Sequence, residues 1–129
     1  MKYEKGSIVL KSGTVFDDGN VDPKPCHPTL IPIGRNNVTE EVYYLIITSQ
    51  IGEYARHEKE YYMIDGDMVK TAHLVVPSMI NLKEIYKTKE FINTVGCLTP
   101  GMYKKAIQKF EAYQAEHPHR YYDEVRNLI

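Results

Sequence analysis

The stretch Glu41-Val42-Tyr43-Tyr44-Leu45-Ile46-Ile47-Thr48-Ser49-Gln50 decides how this chain is read. From Val42 to Ile47 it is continuously apolar, and all but Leu45 are β-branched or aromatic. It lacks the alternation of a strand with one wet face. The run therefore reads as a strand over 41–48, buried on both faces. Its end, Thr48-Ser49-Gln50, sets three polar side chains where a buried strand meets solvent.

Working outward from this strand, β-rich runs recur on both sides. Ser7-Ile8-Val9-Leu10 begins after Gly6 and ends near Ser12-Gly13, and Thr29-Leu30-Ile31-Pro32-Ile33 precedes a Gly34-Arg35-Asn36-Asn37 turn. Between them, residues 17–28 combine Gly, Asn, Asp and three prolines, which is loop chemistry. On the far side, Glu60–Ile64 and Ala72–Val76 read as strands joined through Asp65-Gly66-Asp67, a hairpin signal. Pro77-Ser78 punctuates, and Ile80–Tyr86 is either a strand or one short helical segment.

The clearest helix starts at Thr99-Pro100, with Thr99 as N-cap and Pro100 at the first helical position. Tyr103, Ala106, Ile107, Phe110 and Tyr113 then make one apolar stripe, and His117-Pro118 ends it. Residues 121–129 form an amphipathic tail. A chain of 129 residues suits one domain and is too short for a TIM barrel or a two-domain dinucleotide enzyme. The expected architecture is mainly β: a small antiparallel barrel or coiled sheet over about 5–98, closed by a C-terminal helical region over about 99–129.

Composition narrows the functional classes. Sixteen Lys plus Arg stand against seventeen Asp plus Glu, so binding nucleic acid through global positive charge is excluded and any such site is local. One local excess exists. Between Lys83 and Lys109 six lysines face Glu84 and Glu90 only, a net of +4, with Tyr86 and Tyr103 interleaved as rings on which bases stack. The plain alternative is the solvated face of an amphipathic helix. Apolar runs fall far below the ~20 residues of a membrane span, and the first residues lack a signal-peptide core. Cys26 and Cys97 form no CxxC motif, and a cytoplasmic protein with free thiols is expected.

The chemistry-bearing candidates are few. Thr48 and Ser49 are hydroxyls that either bind a phosphate or merely end the strand in a turn. His27 is an acid–base candidate that meets Thr48 if their strands are neighbours; otherwise it is a loop histidine bonded locally. Lys24 and Arg35 are cations nearby. His57 lies in a charged loop, and His73 opens a β-rich run and reads as structural or surface. His117-Pro118-His119 lacks a ligand set of recognisable spacing. No Gly-rich phosphate loop, HExxH or GxSxG occurs, so no metal or cofactor is expected.

The order of features resembles the MazF/PemK-like toxins of toxin–antitoxin systems. It is carried by Lys5-Gly6-Ser7-Ile8-Val9-Leu10, His27-Pro28-Thr29-Leu30-Ile31-Pro32-Ile33, Ile46-Ile47-Thr48-Ser49-Gln50, residues 77–87, and Val95-Gly96-Cys97-Leu98-Thr99 before a helix. The resemblance implies an SH3-like (CcdB-type) barrel, a homodimer and an antitoxin, protein or RNA. It also implies a metal-independent endoribonuclease that cuts single-stranded RNA to 2′,3′-cyclic phosphate and 5′-hydroxyl ends. Thr48 and Ser49 match the family's Thr or Ser, while His27 stands where many members carry arginine. The catalytic set implied is His27, Thr48 and Ser49, with Lys24, Gln50, Lys83, Lys87 and Tyr86 on RNA. A non-catalytic barrel that binds RNA or a protein partner is the alternative.

Overall fold

The computed structural model describes residues 4–23, 27–31, 33–36, 38–90 and 93–129, with backbone alone at 27, 30, 31 and 53. Lys24 and Cys26 lie outside the described residues, while Cys97 is an exposed free thiol. The decisive strand is present as β3, Val42–Thr48, and every residue from Val42 to Ile47 is buried. Side chains of a strand alternate between faces, so two separate cores form. Tyr43, Leu45 and Ile47 enter the main core with Ile8, Ile80 and Phe110. Val42, Tyr44 and Ile46 enter a smaller core with Val9 and Tyr86.

The sheet has seven strands, and every pairing among the described residues is antiparallel. Besides β3 they are β1 (Ser7–Lys11), β2 (His27–Ile31), β4 (Tyr61–Ile64), β5 (Ser78–Asn81), β6 (Tyr86–Thr88) and β7 (Thr94–Cys97). The order is β4-β5-β3-β2-β1-β7, with β6 also paired to β3. β3 is the hub. Its first half pairs β6, Thr48 pairs Met79 of β5, and Leu45 and Ile46 pair Leu30 and Thr29 of β2. Among the described residues no ladder joins β4 to β7, so of the barrel or coiled sheet expected the hydrogen-bonded path is an open sheet.

Three local expectations are corrected. β2 starts at His27, inside the stretch 17–28 expected as loop, with Lys11 and Leu10 pairing His27 and Pro28. Residues 72–76 are not a strand: α1 (Asp67–Thr71) replaces the hairpin turn, and the strand that returns beside β4 is β5, starting at Ser78. The physical reason is the spacing of Met68, Val69 and Ala72, which puts all three toward the main core from one turn of helix. The stretch 80–86 is neither one strand nor one helix, because β5 ends at Asn81 and β6 begins at Tyr86.

The C-terminal helix α2, Pro100–Glu116, follows the expected design. Thr99 Oγ1 accepts the Met102 N–H at 3.2 Å and Pro100 opens the first turn. Met102, Ala106, Ile107 and Phe110 bury the apolar face. Gln114 fixes where the helix lies. Fully buried, it donates from Nε2 to Leu82 O (2.7 Å) and Lys83 O (3.2 Å), while its Oε1 accepts from His119 N (2.7 Å). One side chain thus joins the helix, the β5–β6 connection and the segment leading to α3 (Tyr122–Arg126).

Replacing Gln114 with Leu keeps the volume but strips three backbone groups of their partner. The expected loss is roughly 2–4 kcal/mol of unfolding free energy by urea titration; a loss within error of zero would show that water replaces the amide. The Tyr103 hydroxyl is the opposite case, buried without a hydrogen-bond partner among the described residues, its pKa pushed up to about 12 by burial and then by Glu111. Tyr103→Phe is expected to leave stability unchanged or raise it by about 1 kcal/mol in the same titration, whereas clear destabilisation would reveal a hidden partner.

Candidate functional site

β1, β2 and β3 are consecutive in the chain and adjacent in the sheet, which brings the backbone positions of His27, Thr48, Ser49 and Gln50 to one sheet end. Thr29 pairs Ile46 and Leu30 pairs Leu45. The same register carried back to the start of β2 sets the His27 backbone level with Thr48. On the other side of β2, Lys11 pairs His27 and Leu10 pairs Pro28.

A groove of about 290 Å³ opens at this end. Ser49, Ser78 and His73 supply its polar groups, Leu10, Pro28 and Val95 part of its apolar wall, and among the described residues no carboxylate lines it. Thr48 Oγ1 accepts the Gln50 N–H at 3.2 Å, the turn that was the plain reading of Thr48-Ser49-Gln50. That turn leaves Thr48 half-buried and aims the exposed Ser49 at the groove. Ser78 is buried and donates to Val76 O at 3.0 Å. Hydroxyls and an imidazole without a neighbouring carboxylate among the described residues form a setting that favours an anion.

His73 is the groove residue that sequence reasoning missed. It follows α1 in a left-handed turn with φ 59°, its N–H bonded to Lys70 O at 3.0 Å. This turn rests on β7 only because residue 96 is glycine. A Cβ there would meet Ala72 O at 2.4 Å and His73 Cβ at 2.8 Å. The available signal was helical spacing over 68–72 together with Gly96, a glycine inside a strand pattern marking close approach of another backbone.

The basic stretch does not form one patch. Lys83 Nζ donates to Tyr61 Oη at 3.2 Å and lies 3.4 Å from Glu60. Burial works against its charge, but Tyr61 and Glu60 outweigh that and hold its pKa up. Lys109 donates to Tyr54 Oη at 3.4 Å and borders the same Glu58–Glu60 turn. Lys87 stands elsewhere, 3.7 Å from Glu41 and 3.9 Å from Glu124. Tyr86 is only 6% exposed, stacked on Tyr44 at 5.6 Å with Phe16 at its edge, and its hydroxyl donates to Glu84. Burial first, and then Glu84, raises its pKa. Gln50 is exposed beside Ser49.

The structure thus brings together the strand ends bearing His27, Thr48, Ser49 and Gln50, adds Lys11, His73 and Ser78, and leaves Lys83 and Lys87 on separate faces of their own. Among the described residues no group of His, Cys, Asp and Glu is placed to hold a metal ion, and no helix is long and apolar enough to cross a membrane. Comparison with known proteins finds no family model that matches this chain and no curated protein that matches it.

Proposed function

We propose that this chain is a metal-independent endoribonuclease of the MazF/PemK toxin kind, with the groove at the end of β2 and β3 as its active site. The observation that supports this reading most is the convergence of β1, β2 and β3 on that end, with Ser49, Ser78 and His73 around one carboxylate-free groove. In the same reading the open, two-cored sheet is an SH3-like barrel left open between β4 and β7.

The chemistry is transphosphorylation. The 2′-hydroxyl of the substrate attacks the adjacent phosphorus, a base takes its proton, the 5′-oxygen leaves and an acid returns a proton to it. The products are a 2′,3′-cyclic phosphate and a 5′-hydroxyl, with no water consumed. His27 is one proton carrier. An imidazole does acid–base work at neutral pH that the family's arginine does not, and His73 supplies a second imidazole on the groove wall. Ser49 donates to the phosphorane, whose charge grows in the transition state, and Thr48, which stands outside the groove lining, holds the turn that carries Ser49.

Toxin biology asks for a partner that covers the groove. Val75 and Val76, 96% and 47% exposed at its edge, offer an apolar handle beside the site. An antitoxin seated there would block Ser49, and a homodimer remains the assembly expected of the resemblance. The occupant's chemistry, protein or RNA, is decided by which of the two relieves toxicity on co-expression.

The reading is tested on mixed-sequence single-stranded RNA in EDTA. Wild type is expected to cleave, His27→Ala and His73→Ala to lose about 10²-fold or more in rate, and Ser49→Ala about tenfold. Unchanged rates in the His27 and His73 variants would remove both from the chemistry. Intact RNA with salt-sensitive binding would instead establish the non-catalytic RNA-binding domain.

A further inference from the structure

A second cavity, of about 380 Å³, opens between the end of β1, β6 and the segment before α3. Its aromatic side is built from Tyr44, Tyr86 and Phe16, the half-buried Phe16 ring set edge-on to Tyr86 at 6.4 Å. Its polar side holds Lys11, Lys87 and Arg120, and among the described residues no carboxylate lines it. Tyr121 gathers two of these cations: Lys87 Nζ lies 4.6 Å and the Arg120 guanidinium 4.8 Å from its ring centroid.

The acids around the cavity hold two of these cations loosely. Lys87 is 3.7 Å from Glu41 and 3.9 Å from Glu124, and Arg120 is 3.5 Å from Asp17, which also takes His119 at 3.0 Å. Tight charge-assisted bonds are about 2.7–2.9 Å, so an entering phosphate offers Lys87 and Arg120 better geometry than they now have, while Lys11 Nζ, which donates to Ser12 O at 2.6 Å, has further N–H groups to give. Position adds the second argument. Lys11 pairs His27 in the β1–β2 ladder, while Leu10, its chain neighbour, lines the groove. Successive side chains of a strand point to opposite faces, so the cavity and the groove lie on the two faces of one strand pair, at the same end.

We propose that this cavity binds a further nucleotide of the RNA strand that enters the groove, the strand passing over the end of the β1–β2 pair, with its phosphate between Lys11, Lys87 and Arg120 and its base against Phe16. The inference rests on the ribonuclease reading. Three cations fix the backbone, and an aromatic wall accepts any base face, so the subsite holds the strand without reading its sequence. The neutral total charge is no obstacle, because the field that matters is that of the cavity.

The test uses the full chain and a fluorescein-labelled, mixed-sequence 2′-O-methyl RNA hexamer, which lacks the free 2′-hydroxyl, in an anisotropy titration over a salt series. Lys11→Gln and Arg120→Gln are each expected to weaken binding about tenfold and to lower the salt slope by about one, with Arg120→Lys restoring the slope and Lys104→Gln changing neither. Pocket variants that bind like wild type overturn the subsite, even if RNA cleavage by wild type is found. Competition with adenosine monophosphate separates the readings. If wild type ignores the hexamer yet binds the mononucleotide through Arg120, the RNA assignment fails and a free-nucleotide site is established. Binding of neither probe overturns the nucleotide site altogether.

Discussion

Burial of β3 on both faces is the constraint on which the rest of the structure depends. A strand with Val42, Tyr44 and Ile46 on one side and Tyr43, Leu45 and Ile47 on the other needs cover on each. Helix α2, held by Gln114 and led by Phe110, covers the first face; Val9, Tyr86 and Phe16 cover the second. Burying six such side chains is worth roughly 1.5–3 kcal/mol each relative to exposure, more than any polar contact in the chain supplies. The strand reaches solvent only at Thr48, and the groove lies where it does so.

The same constraint explains what was legible in the sequence. β3 declares itself by composition, α2 by its cap and stripe, and β1 and β2 by runs bounded with Gly and Pro. The pairing of β2 with β3 followed from the tendency of consecutive strands to be neighbours, which sufficed to bring His27 and Thr48 to one end. The region 65–81 was opaque for a physical reason. Ala72-His73-Leu74-Val75-Val76 has the β-branched character of a strand, yet Ala72 is drawn into the main core from α1 while Val75 is left 96% exposed. Tertiary packing overrode local propensity there. His73 stayed hidden for the same reason: its place depends on Gly96, far along the chain.

Charge is organised in three dimensions rather than along the sequence. The cationic stretch 83–109 and the acidic first half meet in space, Lys83 against Glu60 and Lys87 against Glu41. These pairs are partly exposed and individually worth little to stability. Their effect is to divide the positive field between two faces, one of them the cavity that Lys11 and Arg120 complete. The tyrosines divide likewise: Tyr43, Tyr44 and Tyr86 build cores, while Tyr54, Tyr61 and Tyr121 carry lysines over their rings.

The central claim is that the β2–β3 strand end transfers a phosphoryl group within RNA using only the side chains of this chain. Its most direct test is mass spectrometry of the fragments formed from a defined single-stranded RNA by purified protein in EDTA. Fragments ending in 2′,3′-cyclic phosphate and beginning with 5′-hydroxyl are the expected result. Fragments with 5′-phosphate ends, or cleavage that appears only when magnesium is restored, would contradict it.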